Sequence, residues 1–187
     1  MLITDCLYNN IWLSVLLFPL SNITLSISSG ETIDLGHTWW FWVQQLAIGV
    51  GVALAEELFF RGLLLRELVF SYKWRSVTAS LLVSFVFAIL HLVNVNSYAT
   101  WCYSIVQSLC AFAVSFNLSA MFVSTRKLWL CVLIHALINI TSIGLDASGN
   151  DAQLVLSDME IMTFLLVAFV YLVSGIKMLN RKIAEGK

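Results

Sequence analysis

The chain has 187 residues, of which 60% are hydrophobic and 11% charged, with one proline and a mean hydropathy of +0.90. A soluble domain this small cannot bury so much apolar surface. Ten Lys and Arg against eleven Asp and Glu also leave no basic face for nucleic acid. These figures exclude a soluble enzyme, a nucleic-acid binder and a disordered chain, and imply an integral membrane protein with lipid as its first partner.

In chain order, apolar stretches of membrane-crossing length run over 11–27, 41–65, 77–93, 102–123, 128–145 and 161–179. Each is too long for a strand, and none alternates as a barrel strand would. The expectation is an all-α, polytopic helical membrane protein with about six transmembrane helices in one domain over 1–187. Pro19, Asn22 and Thr24 interrupt the first stretch; residues 1–10 carry no Lys or Arg, so it reads as a span and not as a signal peptide.

The connections alternate in charge. Glu31 and Asp34 precede the second span, Arg66, Glu67, Lys73 and Arg75 follow it, and 94–101 is uncharged. Arg126 and Lys127 lead into the fifth span, Asp146, Asp151, Asp158 and Glu160 into the sixth, and Lys177, Arg181, Lys182 and Lys187 close the chain. Positive loops stay inside, so both termini are expected in the cytoplasm, which requires an even number of spans. Trp39, Trp40, Trp42, Tyr98, Trp101 and Tyr103 fall at the expected outer edges and Tyr72 and Trp74 at an inner one, as headgroup anchors. Cys6, Cys102, Cys110 and Cys131 form no C-x-x-C pair and read as small apolar residues. The N-x-[ST] triplets at Asn22, Asn117 and Asn139 lie in apolar segments and read as unglycosylated.

Against this background a few polar residues stand where lipid should be: Glu56, Glu57 and Arg61 in the second span, His91 in the third, and His135 and Asn139 in the fifth. At 1.5 Å per residue from the basic edges, Glu56, His135 and His91 lie roughly 12–21 Å deep, near the middle of a layer about 30 Å thick. Three helices thus bring polar groups to one slab. Glu57 and Arg61 are spaced i,i+4, acid before base, and can neutralise each other. Glu56 is offset by about 100° and lacks that partner, which suits it to act as a general base. His135 and Asn139 are also i,i+4 and can address one atom from one face, while Phe87 can pack beside His91. Gly49, Gly51 and Ala53 are expected to permit close helix approach.

These residues carry a resemblance. Glu56-Glu57-Leu-Phe-Phe-Arg61 fits E-E-x-x-x-R, Phe87-Ala-Ile-Leu-His91 fits F-x-x-x-H, and His135-Ala-Leu-Ile-Asn139 fits H-x-x-x-N. Together they resemble the CAAX-protease and bacteriocin-processing (CPBP or Abi) family, whose members are intramembrane endopeptidases similar to the type II CAAX prenyl protease. The motif-bearing core covers about 41–145, with the site between the second, third and fifth spans. The resemblance implies hydrolysis of a peptide bond in a membrane-associated peptide or protein tail. Glu56 would activate water with help from His91, His135 and Asn139 would donate to the oxyanion, and Glu57 and Arg61 would hold their helix in position. Metal stays open. A glutamate-activated water without cofactor is preferred, and a Zn2+-bound water on Glu56, His91 and His135 is the alternative, since no H-E-x-x-H helix is present. The short chain is similar to the prokaryotic branch, in the cell membrane.

Taken singly, each residue has a plainer explanation. Glu57–Arg61 reads as an orienting ion pair, each histidine as a hydrogen-bonded core residue, and Asn139 as interhelical glue. Their co-occurrence in one slab favours the enzyme. The competing function is a non-proteolytic bacteriocin-immunity or scaffolding protein of the same fold; a proton-coupled transporter would need repeats and broken helices that are not visible.

Overall fold

The computed structural model describes residues 38–92, 101–146 and 157–184, which are helical throughout apart from short turns. Helix α1 (Trp39–Glu57) continues directly into two wider, π-helical stretches, Leu58–Leu65 and Glu67–Ser71. Helices α2 (Ser76–His91), α3 (Trp101–Thr125), α4 (Leu128–Asp146) and α5 (Asp158–Ala184) follow. Their positions coincide with the second to sixth apolar stretches of the sequence; the expected first span, 11–27, lies outside the described residues. Helix α3 and residues 158–181 of α5 are long and apolar enough to cross a membrane, and α2 and Leu128–Thr141 of α4 are shorter apolar helices.

Local chemistry sets the ends. Thr38 caps α1 through its hydroxyl, which accepts from the Phe41 N–H. Ser157 and Glu160 form a reciprocal capping box at the start of α5: the Ser157 N–H donates to Glu160 Oε2 at 2.7 Å and the Glu160 N–H to Ser157 Oγ at 3.3 Å. Two basic residues stop helices in the left-handed region, Lys73 at φ 59° and Arg126 at φ 60°. The Arg126 guanidinium lies 3.3 Å from the Phe70 ring centroid, so the α3–α4 turn rests on the end of the first helix.

One departure from expectation concerns 58–71. The spacing predicts an ordinary helix ending near residue 65, but the chain winds wider and runs six residues further, with the Tyr72 N–H donating to Glu67 O, five residues back, at 2.9 Å. Arg66 and Glu67 are therefore helical and not part of a loop.

Helix α3 is the packing centre, nearly enclosed from Ala113 to Val123, with α2 and α5 against it. Cys110 Sγ approaches Phe164 O at 3.7 Å and Asn117 Nδ2 donates to Tyr171 O at 3.0 Å. Both pairs advance together along the chain, so α3 and α5 run parallel. Gly175 permits their close approach: a Cβ there would meet Phe116 Cδ1 at 2.8 Å. On the other side, α1 pairs with α4 in the opposite sense, Gly49 opposite Asn139 and Glu56 opposite His135. Gly49 and Ala53 are buried, whereas Gly51 faces outward with nothing within 4 Å of a Cβ, so the expected role in helix approach fails for Gly51. Leu46, Ile48, Val52 and Leu54 leave α1 with exposed apolar surface that Phe59 continues into the π-helical stretch, and Trp39, Trp40, Trp101, Tyr72 and Trp74 are exposed at helix ends. Cys102, Cys110 and Cys131 are free thiols.

Candidate active site

The three motifs meet where α1, α2 and α4 approach one another. The centre is His135. Its Nδ1 lies 2.8 Å from Glu57 Oε1, and its Nε2 lies 3.4 Å from Glu56 Oε2. A carboxylate oxygen accepts, so the Nδ1 hydrogen points at Glu57. Glu56 is therefore not the partnerless acid that its helix phase implies, because the partner comes from another helix and helical spacing is blind to it.

Glu57 Oε1 also accepts from Arg61 Nη1 at 2.7 Å, forming the ion pair expected from the i,i+4 spacing. Both side chains are fully buried, and Arg61 needs further acceptors there. It finds them on α3, where Nη2 donates to Ser115 Oγ at 2.8 Å and to Ser115 O at 3.0 Å. Ser115, also fully buried, belongs to none of the motifs. Gly62, next to Arg61, faces Leu128 at the start of α4; a Cβ there would lie 3.3 Å from Leu128 Cδ2. The change from α to π winding begins just after Glu57, so both glutamates sit on the regular helix and Arg61 on the wider one.

Phe87 joins the third helix to this cluster. Its ring centroid is 5.0 Å from Phe60, 4.6 Å from His91 and 5.9 Å from His135, with the Arg61 Cζ 5.3 Å away. The two imidazoles thus flank one phenyl ring. His91 Nδ1 donates to Phe87 O at 2.9 Å, which fixes the hydrogen on that nitrogen and turns Nε2 away from the helix backbone. His91 has no direct bond to Glu56 among the described residues. Asn139 Nδ2 donates to Gly49 O at 3.2 Å, two turns from Glu56 on α1, while His135 contacts the two glutamates.

The residues divide by access. Glu57, Arg61 and Ser115 are sealed, His135 is nearly so, and the Glu56 side chain is 33% exposed, with His91 and Asn139 also half-buried. The open edge thus holds an acid, an imidazole and an amide, and the closed interior holds a compensated ion pair. Zinc fits this arrangement poorly. Among the described residues no group of three or more His, Cys, Asp or Glu side chains is disposed to hold a metal ion. Glu57 Oε1 is already taken by Arg61 and His135, and of the three candidate ligands only Glu56 and His135 are in direct contact, where a catalytic zinc needs three.

A family model described as "Rce1-like: Type II CAAX prenyl endopeptidase Rce1-like" matches residues 38–141, more than half of the chain. No curated protein and no solved structure gives a match.

Proposed function

The chain belongs to the Rce1-like type II CAAX prenyl endopeptidase family, and on that premise we propose that it is an intramembrane endopeptidase acting on a membrane-associated peptide or protein tail. The observation that carries the reading is His135 between two carboxylates, one sealed and neutralised by Arg61, the other open. Glu56, at the open edge, takes a proton from water as the water oxygen attacks the carbonyl carbon. His91 Nε2 helps to orient that water. The negative charge that builds on the carbonyl oxygen is met by hydrogens on His135 Nε2 and the Asn139 amide, both on α4. Glu56 then returns its proton to the departing amine. No step passes through a metal.

The same reading takes the basic turns at Lys73–Arg75 and Arg126–Lys127 as cytoplasmic, together with both termini, in a six-span protein of a prokaryotic cell membrane. The opposed senses of α1 and α4 and the shared sense of α3 and α5 support that alternation. An internally quenched peptide, farnesylated on the cysteine of a C-terminal CAAX sequence, tests the reaction in lipid vesicles. Wild-type protein should cleave it, and Glu56→Gln should lower turnover by about 10²–10⁴-fold with an unchanged melting profile. Full activity in Glu56→Gln overturns the assignment.

A further inference from the structure

We propose that Ser115, which lies outside the three motifs on a helix that carries none of them, is a positioning residue for the catalytic pair. The claim rests on the proteolytic reading above for its catalytic consequence, but its structural content stands on geometry alone. Arg61 and Glu57 share a helix and could settle in several rotamers, since a long guanidinium side chain has many. What selects one is α3. Ser115 offers two acceptors to the same guanidinium nitrogen, the hydroxyl at 2.8 Å and the carbonyl at 3.0 Å. With Nη2 held there, Nη1 points at Glu57 Oε1, and that oxygen takes the Nδ1 hydrogen of His135. The ring's other nitrogen then faces Glu56.

A chain of short contacts therefore runs Ser115, Arg61, Glu57, His135, Glu56, from sealed interior to open edge. Each link but the last is 2.8 Å or shorter. Hydrogen bonds to charged groups in a low-dielectric interior are directional and strong, so a lost anchor at one end is felt along the chain. The other buried serines do not resemble it: Ser80, Ser104, Ser119 and Ser174 have hydroxyls with no partner among the described residues, and Ser84 bonds only within its own helix, to Ser80 O. Ser115 is set apart by what it holds.

The test uses full-length protein labelled with 15N-histidine in lipid vesicles. The sequence has three histidines, so few imidazole signals must be separated, and His135→Gln assigns the one of interest. Wild-type protein should show the His135 Nδ1–H as a low-field, slowly exchanging proton. Ser115→Ala should move it upfield and speed its exchange about ten-fold, and Ser115→Thr, which keeps a hydroxyl, should restore it. On the farnesylated CAAX peptide, Ser115→Ala should lower kcat about ten-fold with KM unchanged, because Ser115 does not face the open edge. An unchanged Nδ1–H signal in Ser115→Ala overturns the proposal, as does a loss of melting temperature that Ser115→Thr does not reverse. If wild-type protein leaves the peptide intact, the proteolytic reading fails, while the proton signal still decides whether Ser115 orders the histidine.

Discussion

The α1–α4 contact and the α3–α5 contact solve one problem in different ways. In the membrane setting of the proposed reading, both hold two apolar helices together where lipid offers no hydrophobic drive to do so. Between α3 and α5 the means is fit: Gly175 lets Phe116 in, and one amide and one thiol reach carbonyls across the gap. Between α1 and α4 the means is charge, with His135 set against two carboxylates and Asn139 against the Gly49 carbonyl. Close packing tolerates small shifts and holds nothing reactive. A charged contact demands that every partner be present, and it leaves groups able to move a proton. Under the proposed reaction, the α1–α4 pair serves as the site because its adhesive is also its chemistry.

The contrast can be broken at its strongest point first. Arg61→Leu should destabilise the protein by about 3–5 kcal/mol, because the buried Glu57 carboxylate loses its guanidinium partner. The double replacement Glu57→Leu with Arg61→Leu should recover much of that loss in a detergent unfolding titration. A double variant as unstable as the single one would mean that the pair is not what α1 relies on. Next, Asn139→Ala should lower kcat on the farnesylated peptide on the order of 10²–10³-fold, the usual effect of losing one oxyanion donor. A change confined to KM would move Asn139 from the reaction to substrate binding.

On the packed side the effects should be smaller and purely structural. Gly175→Leu drives a side chain into Phe116 and should reduce stability by about 1–3 kcal/mol, while turnover per folded molecule stays the same. Asn117→Ala removes the bond to the Tyr171 carbonyl and should remove only about 0.6 kcal/mol, readable as a small shift of the same unfolding curve. If Gly175→Leu lowered turnover in parallel with Arg61→Leu, the two helix pairs would not be separable.

The motif residues were visible in the amino-acid sequence because charge is scarce in an apolar span and each one stands out. Glu57–Arg61 was visible for a second reason, since both partners lie one turn apart on one helix. Three features were hidden, each for a physical cause. The partner of Glu56 comes from a helix nearly eighty residues on, and no local period encodes it. The π-helical winding after Glu57 was hidden because 58–71 is apolar at most positions, and a nearly continuous apolar run does not distinguish one winding from the other. Ser115 is one of several serines on α3 and becomes distinct only when Arg61 reaches it. The capping box at Ser157 and Glu160, by contrast, was available in the spacing Ser-x-x-Glu and would have set the start of α5 closer to its place.

The exposed apolar flank of α1 has a kinetic consequence. Val52 and Phe59, one turn before and one turn after Glu56, are exposed on the face where its side chain reaches the surface. Under the proposed reaction, a substrate that arrives along this flank moves in two dimensions, and encounters are counted per unit area of bilayer. Diluting the vesicles in buffer should then leave the rate per enzyme unchanged, whereas adding inert lipid at constant protein should slow it. The Michaelis constant of such an enzyme is a mole fraction in lipid rather than a molarity.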